Sequence, residues 1–64
     1  MTLNELIEIT DSDTVVQIVI NMCDTQFKAR RYADEWQKRE NEDMRKREIE
    51  RVGTNNKALV IYLK

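Results

Sequence analysis

The chain has 64 residues, one cysteine and no histidine, so it forms one domain at most and lacks the ligands for an internal disulfide or a four-ligand structural zinc site. Its net charge of −1 hides an uneven distribution, because the first 27 residues carry five acids and no base whereas the remaining 37 carry all eleven bases. A core this small is marginal, and with disulfides and zinc eliminated we expect a homo-oligomer to supply the missing stability.

The same composition predicts where the protein works. The longest apolar run is the six residues 58–63, far shorter than the roughly 20 residues of a membrane-spanning helix. The first residues lack the basic and apolar regions of a signal peptide, and a lone cysteine suits a reducing compartment. We therefore expect a cytoplasmic protein with no membrane partner.

The first predicted element is a short helix at about residues 3–9. Thr2 and Glu5 have the spacing of a capping box, and the apolar residues that follow recur at helical intervals. Asp11 and Asp13 then mark a turn, because aspartate side chains bond to nearby backbone amides.

Two strands with apolar residues on both faces are predicted near the ends of the chain, at residues 14–20 and 57–63. Residues 53–56 contain the only glycine and two asparagines, which can take positive φ, and predict a turn, so the last strand forms a hairpin with about 47–53. Short helices cannot cover both faces of such strands, so we expect the second face to contact another copy of the chain. The residues expected at that contact are Val15, Val19, Val60 and Tyr62.

The middle of the chain allows two interpretations. Residues 25–51 contain neither glycine nor proline, so propensity alone predicts one long central helix between two strands. We favour a strand at about 26–32 followed by a helix at about 33–46. Four pairs of opposite charges spaced i, i+4 support that helix: Asp34–Lys38, Glu35–Arg39, Glu42–Lys46 and Asp43–Arg47. The predicted fold is therefore α+β, a four-stranded antiparallel sheet with the order α-β-β-α-β-β.

Catalytic chemistry has little basis in the sequence. Cys23 has no histidine to activate it, and the one glycine excludes a phosphate-binding glycine loop. Asp11 and Asp13, with Asp24 or Glu8, have the chemistry of a divalent-cation site for metal-dependent DNA nicking, but calcium-loop spacing is absent and a turn is favoured. We predict no catalytic residue, no metal and no cofactor, and we lean against an enzyme.

The basic segment between residues 28 and 51 is the better candidate site, because it holds nine of the eleven bases and several aromatic residues. Arginine and lysine near aromatic rings are typical of single-stranded nucleic-acid binding. The candidate nucleic-acid-binding residues are Lys28, Arg30, Arg31, Tyr32 and Trp36. In a strand, Lys28 and Arg30 share one face and Arg31 lies on the other. The alternative is a solvated, ion-paired helix that Trp36 anchors to the sheet.

Residues 2–6, the acidic turn 11–13, residues 14–19 and residues 59–63 together resemble small orphan proteins of phages and mobile elements of gut Firmicutes, which include anti-CRISPR proteins against type II effector nucleases. The resemblance implies a sheet-and-helix fold similar to a single-stranded-DNA-binding transcription coactivator, self-association, and a link to relaxing or nicking supercoiled DNA. It transfers no catalytic residue. The matched residues that it implies at contacts between subunits are Asp11, Asp13, Tyr62 and Leu63.

These observations predict an accessory protein of a phage or mobile element, acting in the host cytoplasm as a homo-oligomer. It would inhibit CRISPR defence by binding nucleic acid or altering DNA topology, so DNA and a host defence nuclease are the expected partners. The alternative is a small protein–protein interaction module, whose charged middle helix docks on a protein and which has no role with nucleic acid.

Overall fold

Four strands form one sheet, and the short helices pack on one side of it. The computed structural model describes all 64 residues. In chain order the elements are α1 (Leu3–Glu8), β1 (Val15–Asn21), β2 (Gln26–Tyr32), α2 (Ala33–Trp36), a 3-10 turn (Arg39–Asn41), α3 (Glu42–Arg45), β3 (Ile49–Asn55) and β4 (Ala58–Leu63). The predicted α+β class is confirmed, and the long central helix does not form. None of the helices has the length and hydropathy that a membrane crossing requires.

The sheet is mixed, where we expected it to be antiparallel throughout. Its strand order is β2-β1-β4-β3, and the central pair β1–β4 is parallel. Each hairpin, β1–β2 and β3–β4, is antiparallel as predicted. The reason for the difference is the helical connection between the hairpins. It carries the chain from one edge of the sheet to the other, so β2 and β3 run in the same direction and the inner strands become parallel neighbours.

The capping box forms as predicted and begins α1. The backbone amide of Glu5 donates to Thr2 Oγ1 at 3.3 Å, and the backbone amide of Thr2 donates to Glu5 Oε1 at 3.0 Å. The bond from the Thr2 amide lowers the pKa of the Glu5 carboxyl below its ordinary value, because it stabilises the ionised form. Two otherwise unpaired amides of the first turn are thus satisfied.

The predicted middle helix is divided by the side chain of Asn41, which is 9% exposed. Its amide nitrogen donates to the carbonyl of Glu35 at 2.9 Å, and its oxygen accepts from Arg31 Nη1 at 3.2 Å. Because a continuing α-helix would use the Glu35 carbonyl for its own backbone, this bond accompanies the end of α2. Of the four predicted ion pairs, only Lys46–Glu42 forms, with an N···O distance of 3.9 Å.

The hairpin turn lies later than predicted. Asn56 and Lys57 both have positive φ, 51° and 68°, which is the geometry of a two-residue type I′ turn. Gly53, expected in the turn, instead lies inside β3 and pairs with Val60. Asn56, one of the two asparagines of the predicted turn, takes the first left-handed position, which asparagine tolerates well, and Lys57 takes the second.

The core lies between the sheet and the helices. Trp36 is fully buried, and its indole nitrogen donates to the carbonyl of Val16 at 3.0 Å. Burying each large aliphatic side chain contributes roughly 1.5–3 kcal/mol. The nine buried residues of this cluster are Leu3, Ile7, Val16, Ile18, Ile20, Ala33, Trp36, Ile61 and Leu63.

Candidate nucleic-acid interface

The side of the sheet opposite the helices, here called the helix-free face, is formed by every second residue of each strand. Side chains alternate along a strand, and cross-strand partners share a face, so the pairing of the four strands defines its members. They are Val15, Gln17, Val19, Asn21, Gln26, Lys28, Arg30, Tyr32, Arg51, Gly53, Asn55, Ala58, Val60 and Tyr62.

The helix-free face is positively charged. Lys28 and Arg30 lie on the edge strand β2, and Arg51 lies on the opposite edge strand β3. No carboxylate occupies a paired position on this face, although the chain has twelve. Glu50, the one acid within a strand, falls at the irregularity between Ile49 and Arg51, where β3 shifts its register. The face therefore attracts anions.

Three apolar residues of the helix-free face, Val19, Ala58 and Val60, are already buried within the single chain, and Val15 is half-buried. Val19 is 2% exposed and Val60 is 7% exposed. Val19 lies between its cross-strand partners Lys28 and Tyr62, and long side chains of this kind cover apolar neighbours with their stems. A second copy is therefore not needed to cover these residues, which removes the physical reason for which we expected one.

The residues expected between subunits do not form one surface. Val15, Val19, Val60 and Tyr62 share the helix-free face. Leu63 lies on the helix side, in the core cluster. The remaining two, Asp11 and Asp13, are exposed in the turn that precedes β1.

The candidate nucleic-acid-binding residues are likewise divided between the two sides. Lys28 and Arg30 lie together on the helix-free face, as the strand alternation predicted, and Tyr32 lies there as well. Arg31 lies on the helix side, with its Cζ 4.9 Å from the centre of the Trp36 ring. Trp36 is fully buried and has no face free for a base, so neither residue belongs to the interface that we describe.

Two members of the face were not among those candidates. Arg51 lies over Tyr62, with its Cζ 4.1 Å from the ring centre. Together they form a stacked pair of planar groups, opposite Lys28 and Arg30 across the sheet. The alternation in β4 indicated the position of Tyr62, but the shift of register at Glu50 hides the position of Arg51.

A groove of about 350 Å³ opens on the helix-free face. Gly53 and Val60, which are cross-strand partners, lie in it. The side-chain amides of Gln17 and Asn55 form no hydrogen bond within the protein. The residues that line it are Gln17, Val19, Gln26, Lys28, Gly53, Thr54, Asn55, Val60 and Tyr62. A ligand in this groove would contact the free amides of Gln17 and Asn55 and the ring of Tyr62, with the cation of Lys28 at the edge of the sheet.

Other parts of the surface are chemically simpler. No group of three or more acidic or thiol side chains is close enough to hold a metal ion, so Asp11, Asp13, Asp24 and Glu8 are not brought together. Cys23 is exposed in the turn between β1 and β2. Neither the acidic turn nor the cysteine lies within the positive face.

Comparisons of the chain with protein-family models, with curated proteins and with solved structures found no match. The interpretation of the helix-free face accordingly depends on the chemistry of its own residues.

Proposed function

We propose that the protein binds single-stranded nucleic acid on the helix-free face of its sheet. The observation that carries the proposal is the combination of three cations, two tyrosines and no paired carboxylate on one sheet face. Cations attract phosphates, whereas aromatic rings and arginine planes stack with bases, which single strands expose and duplexes do not.

The positions of the charges indicate how a strand would lie. Lys28 and Arg30 are on one edge strand and Arg51 is on the other, so two inner strands separate them. At the usual spacing of strands the outer two are about 14 Å apart. A bound strand that crosses the sheet therefore meets phosphate ligands at both edges and Tyr62 between them.

The experiment is a fluorescence-anisotropy titration with a labelled single-stranded oligonucleotide of about 12 nucleotides, which is within the range of known single-strand sites. We expect binding whose logarithm falls with the logarithm of salt concentration at a slope of about −2, the value for three phosphate contacts. The triple variant Lys28→Ala, Arg30→Ala, Arg51→Ala should lose this binding.

The matched control removes the same charge elsewhere. Lys38, Arg39 and Lys46 are exposed in the helical connection and lie outside the helix-free face. Their triple alanine variant should bind as the unmodified protein does. Equal loss in both variants, or no binding by the unmodified protein, contradicts the proposal. Competition by polyglutamate as strong as that by the oligonucleotide would instead favour the protein-interaction module.

We further propose that this binding serves an accessory protein of a phage or mobile element that inhibits a type II effector nuclease. The support is the resemblance of the two ends of the sequence to such proteins. Interference by the nuclease, with and without the protein, and relaxation of a supercoiled plasmid are the two assays. Unchanged interference together with unchanged topology contradicts this wider role.

We also propose self-association, supported by complementary charges and not by the apolar strand faces from which we first expected it. The acidic residues of α1 and the following turn complement the cations of the helix-free face, so copies of the chain would pair by opposite charge. Light scattering at low and high salt tests it, because such pairing weakens as salt increases. A 7.7 kDa monomer at low salt contradicts it.

A further inference from the structure

Gly53 occupies the interior of β3 without a backbone reason for being glycine. Its φ is not positive, and a Cβ added at this position would meet no atom within 4 Å. Glycine weakens a strand, and within strands it often marks a place where a ligand approaches closely. Glycine at this position therefore lowers the stability of the sheet and leaves open space above the backbone.

That open space is part of the groove on the helix-free face. Gly53 and Val60 form its floor as cross-strand partners. Next along the strands, Tyr62 lies on one side and Asn55 on the other, and Gln17 adjoins Val60 on β1. A flat floor bounded by a ring and two amides suits a planar ligand that has hydrogen-bonding groups on its edge.

We propose that the groove above Gly53 and Val60 holds one nucleobase, whose edge is hydrogen-bonded by the side-chain amides of Gln17 and Asn55. This inference rests on the proposed binding of single-stranded nucleic acid. An amide presents a donor and an acceptor side by side, which matches the adjacent donors and acceptors on base edges. The three cations of the helix-free face would bind the phosphates of the nucleic acid, and the groove would bind one of its bases.

The test is the variant Gly53→Val. Because no atom lies within 4 Å of the new Cβ, and valine favours strands, the variant should fold with at least the stability of the unmodified protein in urea unfolding. Its side chain fills the groove floor, so affinity for the oligonucleotide should fall by about tenfold or more, the scale of losing one stacked base.

The control is Val52→Thr. Val52 is the preceding residue of β3, pairs with Ile61 and lies on the helix side, so this change leaves the groove intact. It should bind as the unmodified protein does. An oligonucleotide with abasic sites throughout provides a second control, because Gly53→Val and the unmodified protein should bind it equally when no base enters the groove.

Gln17→Leu tests the amide without changing the volume of the groove. We expect weaker binding and a smaller spread of affinities among the four homopolymers of the same length, since the edge of the base is no longer read. This variant also tests the inference if Gly53→Val fails to fold. An unchanged spread contradicts the role of Gln17.

The two levels of the proposal fail differently. If the triple cation variant loses binding while Gly53→Val and Gln17→Leu bind as the unmodified protein does, the groove is not a base site and the face still binds nucleic acid. If the unmodified protein binds no single strand, the proposed function itself is wrong.

Discussion

The two sides of strand β1 show that low exposure has two different origins. Ile18, on the helix side, is fully buried in the core cluster, and Val19, on the helix-free face, is 2% exposed between its cross-strand partners Lys28 and Tyr62. The first kind of burial excludes water by tight packing, whereas the second includes the stem of an exposed lysine, which can move when a ligand approaches. We therefore expect changes on the helix side to lower stability and changes on the helix-free face to lower binding.

The largest effect should follow from Trp36→Ala. It removes the largest core side chain together with the bond to the Val16 carbonyl and the ring beneath Arg31. We expect a loss of roughly 3–5 kcal/mol in the free energy of unfolding, measured in urea.

Lys28→Ala is the comparison on the other side of the sheet, and it should change stability by no more than about 0.5 kcal/mol. Trp36→Phe keeps a ring in the core and should recover most of the loss, apart from the indole hydrogen bond. Similar stabilities of Trp36→Ala and Lys28→Ala would show that the two sides do not differ as described.

The next effect should follow from Asn41→Ala, which concerns the buried polar residue of the helix side. The change removes the only side-chain hydrogen bond of the Arg31 guanidinium and one of two bonds to the Glu35 carbonyl, which still accepts from the backbone amide of Lys38 at 3.2 Å. We expect a cost of about 1–3 kcal/mol in urea unfolding. Asn41→Asp retains an acceptor for Arg31 but no donor for Glu35, so its cost separates the two bonds. An alanine variant as stable as the unmodified protein contradicts this role of Asn41.

Local patterns in the sequence predicted most of the elements. The capping box marked the start of α1, a β-branched run marked β1 and an apolar run marked β4, each strand to within a residue or two. The predictions that were wrong concern features that depend on residues distant in the chain. The parallel pairing of β1 with β4 depends on how the connection crosses the sheet, and the side chain of Asn41, where the predicted helix is divided, also accepts from Arg31, ten residues earlier in the chain.

The same distinction applies to the candidate site. Alternation placed Lys28 and Arg30 on one face and Arg31 on the other, because the period of a strand is visible in the sequence. The position of Arg51 on the face with Lys28 and Arg30 was not predicted, because one irregularity in β3 moves every following side chain to the opposite face. Trp36 lies near the cations in sequence but packs in the core, where a large ring is worth most.

A smaller effect, with the opposite sign, is expected from Lys57→Gly. Lys57 adopts φ 68° in the turn that joins β3 to β4, a conformation that glycine adopts without strain. Relief of this strain should stabilise the protein by about 1 kcal/mol in urea unfolding. Asn56→Gly is the matched control and should gain less, because asparagine tolerates the left-handed region. A destabilised Lys57→Gly variant contradicts the assignment of the turn.

The smallest effect concerns Glu5, whose capping box orients α1 on the helix side. The bond from the Thr2 amide lowers the pKa of Glu5 below its ordinary value of 4.5, so the folded state favours the ionised carboxyl. This contribution to stability is fully present above the pKa of the unfolded chain and is lost as pH falls through the lower pKa of the folded protein.

Glu5→Gln should therefore flatten part of the decline in urea midpoint below pH 4.5, the ordinary pKa of this carboxyl. Glu40→Gln removes an exposed carboxyl that makes no hydrogen bond or ion pair in the structure, so it controls for the loss of one charge. An identical pH dependence in both variants contradicts the role of the capping box.

Binding of the oligonucleotide at neutral pH should be the same in both, because α1 lies across the sheet from the helix-free face. A loss of binding in Glu5→Gln alone would mean that the two sides are coupled through the sheet.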